Sequence, residues 1–241
     1  MQRLLASGQD ATDADIAAWY GFDDFVGFRS NMVMSADGAA VDADVRSGGL
    51  SGAADTRLLG ILRGVADAVV VAAGTVRAEG YAPVRARSSL RDYRSAAGMS
   101  EHPVLVIVTR TPALDPSLPM FAEAPVRPVV LCAADNGSLA GVADVVACPA
   151  DDGWVDLRAA QQALASRGLA RLHTEGGPHL LGRLLAAGLL EEYCITISPQ
   201  LVGTAAALRP VVGPAPPTGF TLVHAASEGD FLFLRYRRAS P

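Results

Sequence analysis

The sequence contains no lysine; all 20 of its basic residues are arginine. That absence removes Schiff-base chemistry, a pyridoxal-phosphate anchor, the P-loop Gly-Lys-Ser/Thr and a Ser-x-x-Lys nucleophile. Neither a Gly-x-Ser-x-Gly elbow nor a His-Glu-x-x-His motif occurs. Cysteine is scarce: Cys132, Cys148 and Cys194 are odd in number, far apart and set in apolar runs. They read as reduced core residues rather than a disulfide framework or a metal site. The four histidines, His102, His173, His179 and His224, lack a spacing that suits zinc, and no Cys-x-x-Cys completes one. Chemistry is left to carboxylates, hydroxyls, arginine, backbone dipoles and a borrowed cofactor.

Long apolar runs are missing too. Stretches such as Ala68–Ala73 fall far short of a bilayer span. Met1–Asp15 is polar and acidic, without the apolar core of a signal peptide. The expectation is a cytoplasmic protein that engages no membrane. A net charge of −5 argues against nucleic acid as a partner. What is present suits one globular domain: 241 residues, half of them hydrophobic and 19% charged. We expect a loosely ordered N-terminal arm over residues 1–24 and a single domain over 25–241.

Nine runs have strand character: Phe25–Met34, Ala68–Ala73, Val104–Thr109, Val129–Cys132, Val145–Ala147, Arg171–Thr174, Tyr193–Ser198, Phe220–Ala225 and Phe231–Tyr236. Several are continuous Val/Ile/Leu segments, as strands buried on both faces require. Helical patterns lie between them. Ala54–Val65 sets Leu58, Leu59, Leu62 and Val65 on one stripe. Asp156–Arg167 opens on an aspartate and stops at Gly168; Pro178–Ala187 opens on proline and stops at Gly188. This alternation predicts an α/β fold, a largely parallel sheet covered on both faces, closed by an antiparallel hairpin from the last two runs. The polar stretch Arg85–Glu101 and the Pro/Gly-rich stretch Arg209–Gly219 read as surface loops.

Three strand ends suit a dinucleotide. After Asp67–Ala73 the chain meets Gly74-Thr75 and a short helical pattern, which aims backbone N–H groups and a hydroxyl at an anion. After Leu172–Thr174 come Glu175, the pair Gly176-Gly177, and Pro178 opening a helix; glycines let a pyrophosphate approach the backbone closely. Glu175 is a poor neighbour for phosphate and a good one for a polar substrate. The third end delivers Thr109, Arg110 and Thr111; hydroxyls beside a guanidinium suit the 2′-phosphate that separates NADPH from NADH. The bland readings are a turn glycine, a solvated loop carboxylate and a solvated arginine. With no Gly-x-Gly-x-x-Gly, periodicity and spacing lead only to a dinucleotide site outside the Rossmann class.

Asn31–Gly38 resembles the first-strand motif of the reductase domain of RibD-type riboflavin-biosynthesis proteins. Leu62-Arg63, Ala66-Asp67 and Gly74-Thr75-Val76 resemble that family's next block; Glu175-Gly-Gly-Pro and Leu189 through Leu201-Val202-Gly203 resemble its third. Val76-Arg77…Glu79-Gly80-Tyr81 is similar to stand-alone actinobacterial members. The resemblance implies a dihydrofolate-reductase-like fold, NADPH as cofactor, and a homodimer. The substrate it implies is 5-amino-6-(5-phosphoribosylamino)uracil, with hydride delivered to the ribose-derived C1′. By position, Ser47, Arg63 and Glu175 would contact substrate. Val33, Gly49, Thr75, Glu79, Thr109 and the segment from Gly177 through Pro178, His179, Leu180 and Leu181 to Arg183 would line the cofactor, joined by Gly74, Arg110 and Gly176. The loop Gly38–Leu50 would cover the nicotinamide and exclude water.

The pattern also departs from the family. Ala36 replaces its leucine, the tryptophan common near Gly49 is missing, and Ala86 separates Arg85 from Arg87 where a phosphate-holding arginine is expected. Two aspartates are candidate catalytic acids. Asp55 opens the first long helix, as a dipole-stabilising residue or as the acid that dihydrofolate reductases place on this helix. Asp37 is a turn residue before Gly38 or a polar group near the ring. The alternatives to a phosphoribosylaminopyrimidine reductase are a pterin (dihydrofolate) reductase and a non-catalytic NADPH-binding sensor.

Overall fold

A computed structural model describes residues 10–22, 25–42, 46–203 and 208–239. Residues 1–9 and 23–24 of the expected arm and 43–45 of the expected covering loop lie outside the described residues. The strands are β1 (Gly27–Ser35), β2 (Ala68–Ala72), β3 (Val104–Thr109), β4 (Val129–Cys132), β5 (Asp144–Ala147), β6 (Arg171–Thr174), β7 (Leu190–Ser198), β8 (Phe220–Glu228) and β9 (Phe231–Arg238). They form one sheet in the order β5-β4-β3-β2-β6-β1-β7-β9-β8. Neighbours from β5 to β7 run parallel; β9 is antiparallel to β7, and β8 to β9. Each of the nine apolar runs becomes a strand, and the closing hairpin turns at Gly229, which takes a left-handed φ of 58°.

Helices α1 (Asp13–Trp19), α2 (Ala53–Gly64), α3 (Ala73–Glu79), α4 (Arg91–Ala96), α5 (Pro119–Ala122), α6 (Leu157–Ala165) and α7 (Pro178–Ala186) complete the fold. Two of them cover one face of the sheet: Leu157, Ala160 and Leu164 of α6 and Leu180, Leu181 and Leu184 of α7 pack on Phe28, Val70, Val106 and Leu172. On the other face, α2 presents Leu58, Ile61 and Leu62 beside Cys194 and Phe233. Each fully buried aliphatic contributes about 1.5–3 kcal/mol. The caps follow the sequence reading: Asp156 accepts from Arg158 N at 2.9 Å and Ala159 N at 3.1 Å, and Pro178 opens α7. The three cysteines are buried and free. Among the described residues no helix is long and apolar enough to cross a membrane.

Two expectations need correction. The described part of the arm is not loose. Thr12 and Asp15 close a reciprocal capping box on α1, and Ile16, Ala17, Tyr20 and Phe22 are buried against α2 and the sheet. Nor is Arg85–Glu101 a plain surface loop. It carries a 3₁₀ turn, Ser88–Leu90, and α4, whose Arg94 is buried. Arg94 Nη1 donates to the carbonyls of Gly64 and Ala66, both at 2.8 Å, satisfying the otherwise unpaired end of α2.

Candidate active site

The parallel strands all finish on one side of the sheet, where a cleft of about 930 Å³ opens. Three strand ends build it. From β2 the chain turns directly into α3, so Gly74 and Thr75 stand on the first turn at the rim. From β6 it passes Glu175 and Gly176 to Gly177, the N-cap of α7. From β3 it delivers Thr109, Arg110 and Thr111. The sequence's three candidate segments thus converge on a single cleft.

The glycines are there for space. A Cβ on Gly177 would sit 2.7 Å from Thr75 Oγ1, whereas one on Gly74 would meet nothing within 4 Å. Two strand ends therefore leave an open cradle at the start of the nine-residue α7, with a hydroxyl across it. Its chemistry fits a pyrophosphate. Thr109 Oγ1 donates to its neighbour Thr111 O at 2.7 Å, and Arg110 has no carboxylate partner among the described residues. Pro178, His179 and Leu180 also face the cleft.

A part-buried ion pair backs the wall, with Glu175 its cleft-lining member. Arg63, near the end of α2, grips Glu175 in a fork: Nε to Oε1 at 2.6 Å and Nη2 to Oε2 at 2.7 Å. The Tyr81 hydroxyl also donates to Glu175 Oε2, and Arg63 Nη2 lies 3.1 Å from that hydroxyl. Burial pushes the Glu175 pKa up, but the Arg63 charge and hydrogen bonds outweigh it and hold the carboxyl below its ordinary value. Burial and the Glu175 charge raise the Tyr81 phenol well above its ordinary pKa. His173, directly behind, has Nε2 3.7 Å from Glu175 Oε1, and neither ring nitrogen makes a hydrogen bond. Burial pulls its pKa down to about 4 against the attraction of Glu175, so the ring is neutral near pH 7. The wall therefore presents a fixed anion, Glu175, that accepts hydrogen bonds.

Other sequence candidates fall differently. Ser47 and Glu79 both line the cleft but bind each other, Ser47 Oγ donating to Glu79 Oε1 at 3.0 Å. This bond ties the covering loop to α3. Val33 does not line the cleft; Met32 does, because successive strand residues point to opposite faces. Leu181 is fully buried among core residues and does not line the cleft. Gly176 is buried and gives its carbonyl to Ala72 N at 2.7 Å, outside the lining. Gly49 is exposed beyond the cleft and accepts from Gln200 Nε2. Arg85 bonds the Glu123 carbonyl and Arg87 pairs with Asp13, so neither lines the cleft.

Neither aspartate lines it either. Asp37 is a turn acceptor: Ser35 Oγ and the backbone N–H groups of Val202 and Gly203 converge on it. The Ser35 bond first, then the two backbone bonds, pull its pKa down to about 2. Asp55 is buried in the first turn of α2, where Oδ2 accepts from Ser51 Oγ at 2.6 Å and Oδ1 has no hydrogen-bond partner. Sequence reasoning gave no site role to Tyr81, His173, Met32 or Trp154. Trp154 carried a signal: an aromatic side chain in an otherwise polar Asp-Asp-Gly turn.

Comparison with known proteins agrees with this geometry. Residues 28–230 match the RibD C-terminal domain. The chain is 28% identical over 177 residues to the 2,5-diamino-6-ribosylamino-4(3H)-pyrimidinone 5′-phosphate reductase of Methanothermobacter thermautotrophicus, covering 72% of this chain and 77% of that one. It is 27% identical to the reductase of the same name in Archaeoglobus fulgidus, covering 72% and 80%. Among solved structures, a pyrimidine reductase-like protein of Corynebacterium diphtheriae superposes with a TM-score of 0.78 at 26% identity, covering 90% of this chain and 93% of that one. The riboflavin biosynthesis reductase Rib7 of Saccharomyces cerevisiae shares the fold at 16% identity, with a TM-score of 0.64 and coverage of 96% and 93%. The chain belongs to the RibD C-terminal domain family.

Proposed function

We propose that this protein is an NADPH-dependent reductase acting on 5-amino-6-(5-phosphoribosylamino)uracil or a closely related phosphoribosylaminopyrimidine. The observation that carries the proposal is the placement of Glu175. One short segment supplies both this arginine-held carboxylate and, two residues later, the glycine cradle at the start of α7. A group that recognises a polar substrate and a group that receives a pyrophosphate are therefore fixed side by side. The two relatives named as pyrimidinone 5′-phosphate reductases support the same substrate class.

A reduced nicotinamide held in the cleft would supply the hydride. Reduction breaks the C1′–O4′ bond of the ribosylamine, adds hydride at C1′ and places a proton on O4′. The chain's residues position the reactants. Arg63 and Tyr81 leave Glu175 one lone pair, on Oε1, for an N–H or O–H donor of the substrate. Gly74, Thr75 and Gly177 would hold the pyrophosphate, and Ser47, through Glu79, keeps the covering loop against α3. The pterin alternative gains no specific support, since the only buried acid of α2 is engaged by Ser51 and lies outside the cleft lining.

The test is oxidation of NADPH by the purified protein with three substrates in parallel: the phosphoribosylaminouracil, its 2,5-diamino-pyrimidinone counterpart and dihydrofolate. Turnover is expected with one or both pyrimidines and not with dihydrofolate. NADPH should bind more tightly than NADH by about 1.5–3 kcal/mol, the range of a charge-assisted phosphate contact. Turnover of dihydrofolate alone would overturn the substrate assignment, and equal affinity for the two cofactors the NADPH assignment.

A further inference from the structure

His173 stands where the sheet asks for an aliphatic side chain. Its neighbours across the sheet are Val69 on β2 and Arg29 on β1, and its ring is fully buried. Val69, Val71, Leu105 and Ile107 cover the same face with hydrocarbon alone. An isoleucine at 173 would meet the packing demand, whereas the imidazole buries two nitrogens that make no hydrogen bond. An unpaired buried polar group weakens a fold, so this side chain calls for another reason. We propose that His173 is a positioning residue that holds the free lone pair of Glu175 in the substrate-free protein and yields it when substrate binds. This inference rests on the role of Glu175 given above.

Three observations carry it. First, the ring has one donor and points it at Glu175. It is neutral near pH 7, because burial holds its pKa at about 4. Val69 offers Nδ1 no acceptor, and the Arg29 guanidinium is itself a donor, spent on Glu192 Oε2 and the carbonyls of Tyr20 and Gly21. The single proton therefore belongs on Nε2, which faces Glu175 Oε1 at 3.7 Å. Second, that oxygen is the one with room. Oε2 accepts from both Arg63 Nη2 and Tyr81, while Oε1 accepts from Arg63 Nε alone. Third, the separation is intermediate. An N–H···O bond spans about 2.7–3.2 Å, so a movement of less than about 1 Å makes it, and without that movement the lone pair stays open. Glu175 lines the cleft and His173 does not, so the imidazole and a substrate donor reach Oε1 from different sides. They are alternative partners for one acceptor. Whichever takes it, the carboxylate stays in the Arg63 fork and keeps its orientation.

The experiment follows the imidazole N–H of His173 by proton NMR at pH 7 and pairs it with steady-state kinetics. The chain has four histidines, so His173→Leu identifies the resonance, and unfolding midpoints check that each variant folds. Wild type should show a slowly exchanging, downfield N–H signal that Glu175→Gln moves upfield. NADP⁺ alone should leave the signal in place. Adding 5-amino-6-(5-phosphoribosylamino)uracil to the NADP⁺ complex, where it binds without being reduced, should move it upfield as well. In turnover, His173→Leu removes the competitor, so KM for the pyrimidine should fall about two- to tenfold, the scale of one hydrogen bond, with kcat and NADPH affinity nearly unchanged. His173→Gln keeps an N–H of similar reach and should restore the wild-type KM. A histidine that only packs predicts the opposite, a KM that is unchanged or higher in His173→Leu. Should that variant not fold, the shift caused by Glu175→Gln assigns the signal and the wild-type titration decides. A signal that substrate leaves unmoved in an enzyme that turns it over, or a folded His173→Leu with unchanged or higher KM, would overturn the exchange and leave the proposed function standing. Oxidation of NADPH with neither pyrimidine would overturn both.

Discussion

Two buried carboxylates in this molecule use the same chemistry for opposite ends. Glu192 lies near the start of β7 and is gripped by three arginines: Arg29 Nε at 2.7 Å, Arg235 Nη2 at 2.6 Å and Arg237 Nη2 at 2.8 Å. One acid cannot match three cations. The surplus donors turn to the N-terminal arm, where Arg29 bonds the carbonyls of Tyr20 and Gly21 and Arg235 that of Trp19, with the Phe22 ring 4.1 Å from the Arg29 guanidinium. Glu175, just past the end of β6, has one arginine and one phenol, and it borders the cleft. His173 separates the two, paired with Arg29 across the sheet and 3.7 Å from Glu175. A carboxylate surrounded by excess cations and roofed by backbone becomes an anchor; one with a lone pair to spare and an open side becomes a recognition group.

Removing each acid should separate stability from function most sharply. Glu192→Gln leaves the buried Arg29 and Arg235, with the partly exposed Arg237, facing an amide, an uncompensated buried charge that costs about 3–5 kcal/mol of folding free energy. The measurement is the denaturant unfolding midpoint with NADPH affinity alongside. If the protein unfolds at the wild-type midpoint, the anchor role is wrong.

The next largest effect is a dependence on pH. The folded pKa of His173, about 4, lies below the ordinary value of 6.5 because the ring is buried. Between those values the unfolded chain binds a proton that the folded chain refuses. Stability therefore falls as pH drops from about 6.5 towards 4, by about 3 kcal/mol in all, and this contribution is flat below that. Glu175 acts in a lower window, since its depressed pKa holds its stabilisation until the pH falls below the ordinary carboxylate range. Urea midpoints at several pH values should show the upper slope in wild type and lose it in His173→Leu. An unchanged slope in the variant would assign the dependence to other groups.

Glu175→Gln should act on catalysis more than on folding. Its partner Arg63 is partly exposed, so the orphaned cation can reach water, and the stability cost should be well below that of Glu192→Gln. Loss of a charged hydrogen bond to substrate predicts a fall in kcat/KM of about 10- to 100-fold, with NADPH affinity intact. A large stability loss with wild-type kinetics would make Glu175 an anchor like Glu192.

How much of this was legible beforehand follows from which forces act locally. The strands were readable because continuous apolar runs such as Ala68–Ala72 satisfy a burial requirement on both faces within one segment, and α6 and α7 because their caps are local. Helix α1 was missed because seven residues that bury chiefly Ile16 and Ala17 carry too short a stripe to stand out. The strand ends bearing Gly74-Thr75, Gly176-Gly177 and Thr109-Arg110 were found, yet the choice of Met32 over Val33 depends on which face of β1 meets the cleft, and motif position does not encode that. Trp154 becomes part of a site only when a loop after β5 folds over α7. Such contacts across the fold belong to packing, and no short window of sequence contains them.

The smallest expected effect tests whether the arm belongs to the fold that seals Glu192. Thr12 Oγ1 accepts from Asp15 N at 3.2 Å, and Asp15 Oδ2 accepts from Thr12 N at 2.9 Å. Both groups are near the surface and far from the cleft lining, so Thr12→Ala removes little beyond the cap. If α1 frays independently of the domain, that loss should leave the global unfolding midpoint untouched. If α1 unfolds with the sheet, because Tyr20 and Gly21 hand their carbonyls to Arg29, the same substitution should lower global stability by the usual value of a cap, about 1 kcal/mol. Pairing Thr12→Ala with Glu192→Gln then measures the coupling directly. Once the anchor is gone the arm should already be detached, and the second substitution should cost much less than it does alone. Strict additivity of the two would show that the arm and the buried carboxylate stabilise the fold separately.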